Sequence, residues 1–157
     1  MVLSDRLAAI ASFIEEGQSV ADIGTDHAYL PLFLLEHAIS PAVVITDVAE
    51  GPLAVATENL RMAGFPWFEG RDSRGAIPDS VRVSVRQGDG LACIAQGETD
   101  VCVIAGMGGE LIVRILDAEL EKARAFKLLI FQPRTKLYEL RHYLEAQGFV
   151  ITRERLA

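Results

Sequence analysis

Residues 19–31, SVADIGTDHAYLP, decide the fold class of this chain. A short run of apolar and β-branched residues leads into Gly24, and a largely apolar stretch follows the turn. A strand, a tight glycine turn and a helix, in that order, are the first half of a βαβ unit. The stretch therefore predicts a parallel sheet, with Gly24 at the edge of the sheet where ligands bind.

The same alternation continues along the rest of the chain. Strands are predicted at 19–23, 43–46, 81–86, 101–105, 127–131 and 149–152. Helices are predicted at 3–14, 28–37, 51–63, from 108 or 109 to 120, and at 135–147. Ser4 is the predicted N-cap of the first helix, and residues 64–80 are predicted as a loop. This order predicts an α/β fold with a Rossmann-like, doubly wound, mostly parallel sheet of about six strands.

Length and composition exclude several classes of protein. The 157 residues suffice for one domain with a single core, and a hydrophobic fraction of 50% argues against disorder. No apolar run approaches the roughly 20 residues of a membrane span, and the charged first helix does not resemble a secretion signal. Cys93 and Cys102 form neither a disulfide framework nor a metal-binding set. We therefore expect free thiols, no metal, no membrane contact and a cytoplasmic location.

Charge is distributed unevenly along the chain, whose net charge is −7. Residues 1–60 carry a net charge of −8, residues 61–121 carry −4 and residues 122–157 carry +5. The acidic front half argues against binding a polyanion with the whole surface, whereas the basic end permits a local contact with nucleic acid.

In a doubly wound sheet, ligands bind beyond the carboxyl ends of the strands. That rule selects residues 24–27, 47–50, 88–90, 106–109 and 132–134. The first segment lacks the dinucleotide fingerprint G-x-G-x-x-G, because Asp26 and Ala28 stand where further glycines are expected. Asp26 would also repel a pyrophosphate, so NAD binding is disfavoured.

Two acids at the strand ends have the spacing of nucleoside contacts. Asp47 lies 23 residues after Gly24 and can accept hydrogen bonds from both ribose hydroxyls; the alternative is a solvated loop carboxylate. Asp89, between Gly88 and Gly90, can accept from the amine of a flat ring lying on the two glycines; the alternative is an ordinary Asp-Gly turn.

Glycines in 106–109 leave space where a substrate approaches the cofactor. No phosphate-binding P-loop motif is present. An adenosine joined to an amino acid fits these features better than a nucleotide does, which indicates S-adenosylmethionine.

Several segments resemble the bacterial tRNA (adenine(22)-N1)-methyltransferase family. They are LSDRL, VADIGTDHAYLP, DVAEGPLAVATENL, GDGL, IAGMGGELIVRIL, LIFQP and LRHYLEAQGF, which follow the family's order over almost the whole chain. The resemblance implies S-adenosylmethionine as methyl donor and N1 of a tRNA adenine as acceptor. Members of that family continue with a seventh strand and a basic helical hairpin, which the resemblance implies are absent from this chain.

The resemblance also implies roles for single residues. Asp47 would hold the ribose, Val48 would pack on the adenine ring, and Asp89 would meet its amino group. The methionine part would be lined by Asp22, Gly24, Thr25 and Asp26. The floor between donor and acceptor would be formed by Gly106, Met107 and Gly108. Arg6 would help to close the site, although a solvated position on the first helix is an equal alternative.

Methylation of N1 requires an unpaired or flipped adenine, whose ring gains positive charge during transfer. Asp26 is the candidate to stabilise that charge; its alternative is a helix N-cap. His27 and Tyr29 are candidates to flank the base, and Gln132 to hydrogen-bond its edge. Arg134 contacts a phosphate or faces solvent.

The predicted loop and the acceptor leave alternatives open. Trp67, Phe68, Arg71 and Arg74 could stack on bases, but a loop before the third predicted strand lies at the wrong end of the sheet, which favours a surface excursion packed by its own Trp. The alternative functions are methyl transfer to a small molecule or protein, and a non-catalytic S-adenosylmethionine-binding domain.

Overall fold

Parallel pairing joins six strands into one sheet in the computed structural model, which describes residues 2–25, 27–70 and 81–156. The strands are β1 (Val20–Ile23), β2 (Val43–Asp47), β3 (Phe68–Glu69), β4 (Val83–Gln87), β5 (Val101–Met107) and β6 (Leu128–Pro133). Their spatial order is β3-β4-β2-β1-β5-β6. The helices are α1 (Asp5–Ser12), α2 (Tyr29–Glu36), α3 (Glu50–Ala63), α4 (Gly109–Ala118), α5 (Leu120–Ala125) and α6 (Leu137–Ala146).

Apolar side chains cover both faces of this sheet. Alternate strand residues point to opposite faces, so Val20 and Val43 join a core with α1, α2 and α3, while Ala21 and Val44 join a second core with α4, α5 and α6. Because both faces are covered, β1 is buried along its whole length and β2 along all but its last residue, including the polar residues Asp22 and Thr46. The predicted doubly wound α/β fold is confirmed.

Strand order reverses at β1, which lies between β2 and β5. The crevice at such a reversal opens at the carboxyl ends of the strands, because the neighbouring crossovers leave in opposite directions. Gly24 follows β1 directly, so the turn selected from the sequence occupies the switch point.

Two strand predictions differ from the structure. Residues 149–152 form no strand, because they are not paired with any strand of the sheet; the 149–156 segment, β6 and α1 line a groove of about 730 Å³. Arg153 instead packs over the Phe13 ring, which joins this segment to α1. In the predicted loop, Phe68–Glu69 pairs with β4 as an edge strand.

Helix ends follow local capping chemistry. The predicted cap is present, since the Leu7 N–H donates to Ser4 Oγ at 3.3 Å. The helix predicted to reach residue 120 instead ends at Ala118, because Glu119 has a non-helical backbone.

Of the aromatic and basic residues in the predicted loop, Trp67 packs against the core, while Arg71 and Arg74 lie outside the described residues. No helix in the described part of the chain is long and apolar enough to cross a membrane.

Candidate active site

The turn after β1 is fixed by hydrogen bonds to β2. The backbone N–H groups of Gly24 and Thr25 both donate to the Thr46 carbonyl, at 3.0 and 2.9 Å. Thr25 Oγ1 donates to Asp22 Oδ2 at 2.9 Å beneath the turn. Gly24 has a φ of +71°, and a Cβ there would collide with Met107 Cε. The sheet therefore brings the first and fourth predicted site segments into contact.

Asp47 and Val48 meet the segment after β4. The Gly88 N–H donates to the Asp47 carbonyl at 3.0 Å, and Gln87 Nε2 donates to the Val48 carbonyl at 3.1 Å. Asp47 Oδ1 accepts from the Ala49 N–H at 3.0 Å, and no hydrogen bond to Oδ2 is found within the described ranges. Val48 is 65% exposed. A carboxylate oxygen and an apolar side chain are thus available to a ribose and a flat ring at this edge.

Gly88 and Gly90, which the sequence predicts to lie against a flat ring, pack against protein side chains. A Cβ on Gly88 would lie 2.8 Å from Cys93 Sγ, and one on Gly90 would lie 3.0 Å from Ile115. The missing side chains of these glycines make room for Cys93 and Ile115. Asp89 itself is exposed between them.

The glycines at the end of β5 and directly after it, Gly106, Gly108 and Gly109, also have different surroundings. A Cβ on Gly109 would collide with the backbone of Lys136, and one on Gly108 would lie 3.0 Å from Thr135 Oγ1. For Gly106, with a φ of +76°, the one atom of the described residues that a Cβ would meet within 4 Å is Arg6 Nη1, at 3.7 Å. Of these three glycines, only Gly106 leaves room toward Arg6 and the predicted cofactor site.

Arg6 and Gln132 reach the same glycine from two different elements. The half-buried Arg6 extends from α1 to Gly106, while Gln132 Oε1, on β6, accepts from the Gly106 N–H at 3.1 Å. The Arg134 N–H donates to the Met107 carbonyl at 2.8 Å. The sheet therefore brings Gln132, which is predicted to hydrogen-bond the edge of the base, next to Gly106 in the predicted floor between donor and acceptor.

His27 and Ala28 enter α2 in the left-handed conformation, both with a φ of 61°. The rings of His27 and Tyr29 stack with centroids 5.1 Å apart, and both side chains are exposed. Asn59 Nδ2, on α3, donates to the His27 carbonyl at 2.8 Å. Asn59 is not predicted from the sequence, where its helical position is its only signal.

Asp26, the predicted catalytic carboxylate, lies outside the described residues. Its alternative as a helix N-cap falls on the same residue and stays a prediction. Asp22 is buried at 7% exposure. Burial, with a further contribution from the Asp22 charge, raises the pKa of the Cys102 thiol well above its ordinary value, so this thiol stays protonated.

Arg86 and Glu98 form a buried ion pair that sequence reasoning also misses. Their only sequence signal is a charged residue inside an apolar strand. In the parts of the chain that the structure describes, no three potential ligands are grouped so as to hold a metal ion.

A family model described as a methyltransferase domain matches residues 3–157. The chain belongs to the methyltransferase domain family. The carboxyl-edge site described above is therefore the candidate active site of a methyltransferase domain. The resemblance stated from the sequence is confirmed by individual relatives.

This methyltransferase domain is similar to the tRNA (adenine(22)-N(1))-methyltransferase of Bacillus subtilis, with 37% identity over 97% of this chain and 58% of that protein. A solved Streptococcus agalactiae protein of the NADB-Rossmann superfamily has a TM-score of 0.84 at 31% identity, covering 98% of this chain and 62% of that one. The chain spans about three-fifths of the length of these relatives.

A second solved relative of the methyltransferase domain carries a bound ligand. Sp1610 of Streptococcus pneumoniae, in complex with S-adenosyl-L-methionine, has a TM-score of 0.80 at 34% identity, covering 94% of this chain and 63% of that one.

Proposed function

We propose that this chain is an S-adenosylmethionine-dependent methyltransferase that methylates N1 of an adenine in tRNA, at position 22. The observation that carries the proposal is the junction of β2 and β4, where Gly88 donates to the Asp47 carbonyl. This junction sets a carboxylate and the exposed Val48 beside the Gly24 turn, which suits an adenosine without a pyrophosphate. The choice of acceptor is supported by the similarity to the Bacillus subtilis enzyme.

The residues present fit the cofactor at three points. Asp47 Oδ2 would accept from the ribose, Val48 would pack on the adenine, and Asp89 would accept from its amine. Gly24, Thr25 and Asp22 would line the methionine part. When bound, S-adenosylmethionine supplies a methyl group on a positively charged sulfur. Arg6, beside Gly106, would cover the site and exclude water.

On the acceptor side, the target base must leave its stack before N1 can react. The stacked rings of His27 and Tyr29 would flank it. Gln132 Oε1 already accepts from Gly106, so its Nε2 would serve the base edge. Asp26 would stabilise the positive charge that develops on the ring as N1 gains the methyl group. We propose the bacterial cytoplasm as the location, because tRNA is present there.

Labelled S-adenosylmethionine and an unmodified tRNA transcript test the proposal. We expect label at N1 of one adenine, and a loss of about 100-fold or more in transfer rate for Asp26→Ala, within the range for removing one electrostatic stabiliser. Gln132→Ala should lower the rate less. Calorimetry of cofactor binding separates a loss of transfer from a loss of affinity, which Asp26→Ala would also cause if Asp26 lines the methionine part. Unchanged transfer by both variants contradicts the residue roles, and no transfer to tRNA by the unaltered chain contradicts the function.

A further inference from the structure

The carboxyl edge of the sheet is polarised in charge from one end to the other. Over β2 and β4 lie the acids Asp47, Glu50 and Asp89, of which the last two are exposed. Past the end of β6, at the opposite side of the switch point, lie the exposed cations Arg134 and Lys136, together with the exposed acids Glu110 and Glu139 in the first turns of α4 and α6. A polyanion therefore meets exposed cations on the β6 side of the opening and exposed acids on the side of β2 and β4.

Residues 134–136 are held directly against the predicted floor. The Arg134 N–H donates to the Met107 carbonyl and the Gly109 N–H donates to the Thr135 carbonyl, both at 2.8 Å. The backbone of Lys136 lies so close to Gly109 that no side chain fits between them. The two cations are thus anchored by their backbones beside the acceptor side of the site.

The charged side chains of Arg134 and Lys136 are available to bind a ligand. Neither Arg134 nor Lys136 has an ion-pair partner in the described ranges 2–25, 27–70 and 81–156. Lys136 has a φ of 58°, a conformation that a residue other than glycine adopts at a cost of about 1–2 kcal/mol. A strained residue at the mouth of a site is a recognised sign of a functional constraint.

An exposed aromatic side chain follows the two cations, Arg134 and Lys136, in the sequence. Tyr138, in the first turn of α6, is 75% exposed, and its ring is parallel to that of the exposed His142, with centroids 6.2 Å apart. Exposed aromatic rings beside cations are the combination that binds unpaired bases and their phosphates.

We propose that Arg134, Lys136 and Tyr138 form the RNA-contact surface of this chain, with the two cations on phosphates and the Tyr138 ring stacked on an unpaired base next to the target adenine. The inference rests on the proposed function and deepens it, because it fixes the side from which RNA enters. RNA approaches over β6 and α6, away from the acids that hold the cofactor.

The test measures binding of an unmodified tRNA transcript at several salt concentrations. Each phosphate contact contributes about 1 to the slope of log affinity against log salt, so Arg134→Gln with Lys136→Gly should lower the slope by about 2. Glycine suits the left-handed backbone at 136, so the variant should fold. Arg82→Gln is the matched control, because Arg82 is exposed just before β4, at the amino end of the sheet, and should leave the slope unchanged.

The ring is tested separately. Tyr138→Ala should weaken tRNA binding about 10-fold, whereas Tyr138→Phe, which keeps the stacking face, should bind as the unaltered chain does. Calorimetry should show the same affinity for S-adenosylmethionine in every variant.

Three results overturn the inference: an unaltered slope in the double variant, equal binding by Tyr138→Ala and the unaltered chain, or no tRNA binding by the unaltered chain. Methyl transfer by the unaltered chain is scored independently, so failure of the proposed function is distinguished from failure of this surface.

Discussion

Replacement of Arg86 by methionine should destabilise the protein strongly, because it breaks a buried ion pair. Arg86 is 4% exposed in β4, and its guanidinium pairs with Glu98 through two hydrogen bonds. It also donates from Nη1 to the Cys93 carbonyl at 2.8 Å and from Nε to Ser84 Oγ at 3.0 Å. The pair therefore fastens the segment after the Asp89 turn onto the sheet.

The magnitude follows from the charge that remains. Removing one partner of a buried pair costs about 3–5 kcal/mol, because the other charge stays desolvated. Glu98 would keep its hydrogen bond from the Ala95 N–H, which offsets only part of that cost. We expect Arg86→Met to lower the free energy of unfolding by about 3–5 kcal/mol, a large share of the roughly 5–15 kcal/mol of a typical domain.

Urea unfolding followed by circular dichroism measures this loss. The double variant Arg86→Met with Glu98→Leu should be less destabilised than the sum of the two single variants, because it removes both charges of the pair together. Arg86→Lys is the matched control that keeps the charge but loses the planar fork. A loss below about 1 kcal/mol for Arg86→Met, or strictly additive effects in the double variant, would refute the reasoning.

Two further changes test the switch point and the start of the sheet. In urea unfolding, Gly24→Ala should cost about 1–2 kcal/mol for the left-handed backbone, and Met107→Ala should not restore this loss, because the flexible end of the Met107 side chain can move away from the added Cβ. Asp100→Asn should cost about 1–2 kcal/mol at pH 7, because Ser19 donates to this carboxylate from its N–H and Oγ, at 2.9 and 3.2 Å. The hydrogen bond from the Ser19 N–H, aided by Lys127, holds the pKa of Asp100 below its ordinary value of 3.8. The stabilisation by the Asp100 carboxylate is therefore complete above the ordinary pKa and is lost as the pH falls through the lower pKa of the folded protein. A difference in unfolding free energy between the unaltered chain and Asp100→Asn that persists in acid would contradict this reasoning.

Most of the candidate site could be predicted because a single rule locates it. Five segments that follow strands in the sequence converge at one edge in any parallel sheet, whatever the packing of the helices. Asp47, Val48 and Gln132 are found in this way. Asn59 and Arg86 are not found in this way. Asn59 reaches the His27 carbonyl only because α3 packs beside the start of α2, and Arg86 reaches Glu98 only because the turn after β4 folds back onto that strand.

The glycine patterns show a second limit of the local signal. Gly88 and Gly109 resemble ligand contacts in the sequence, yet Cys93 and the Lys136 backbone occupy the spaces beside them. A missing side chain indicates close approach by some group, but the linear order does not say whether that group is ligand or protein.

The order of elements and the placement of the site follow from features carried along the chain: apolar periodicity, turn residues and the direction of parallel strands. Edge pairing does not. Residues 149–152 are as apolar as a strand and form none, while Phe68–Glu69 forms one inside a polar loop. A strand exists only where a neighbouring backbone supplies its hydrogen bonds, and that neighbour is set by how the whole chain packs.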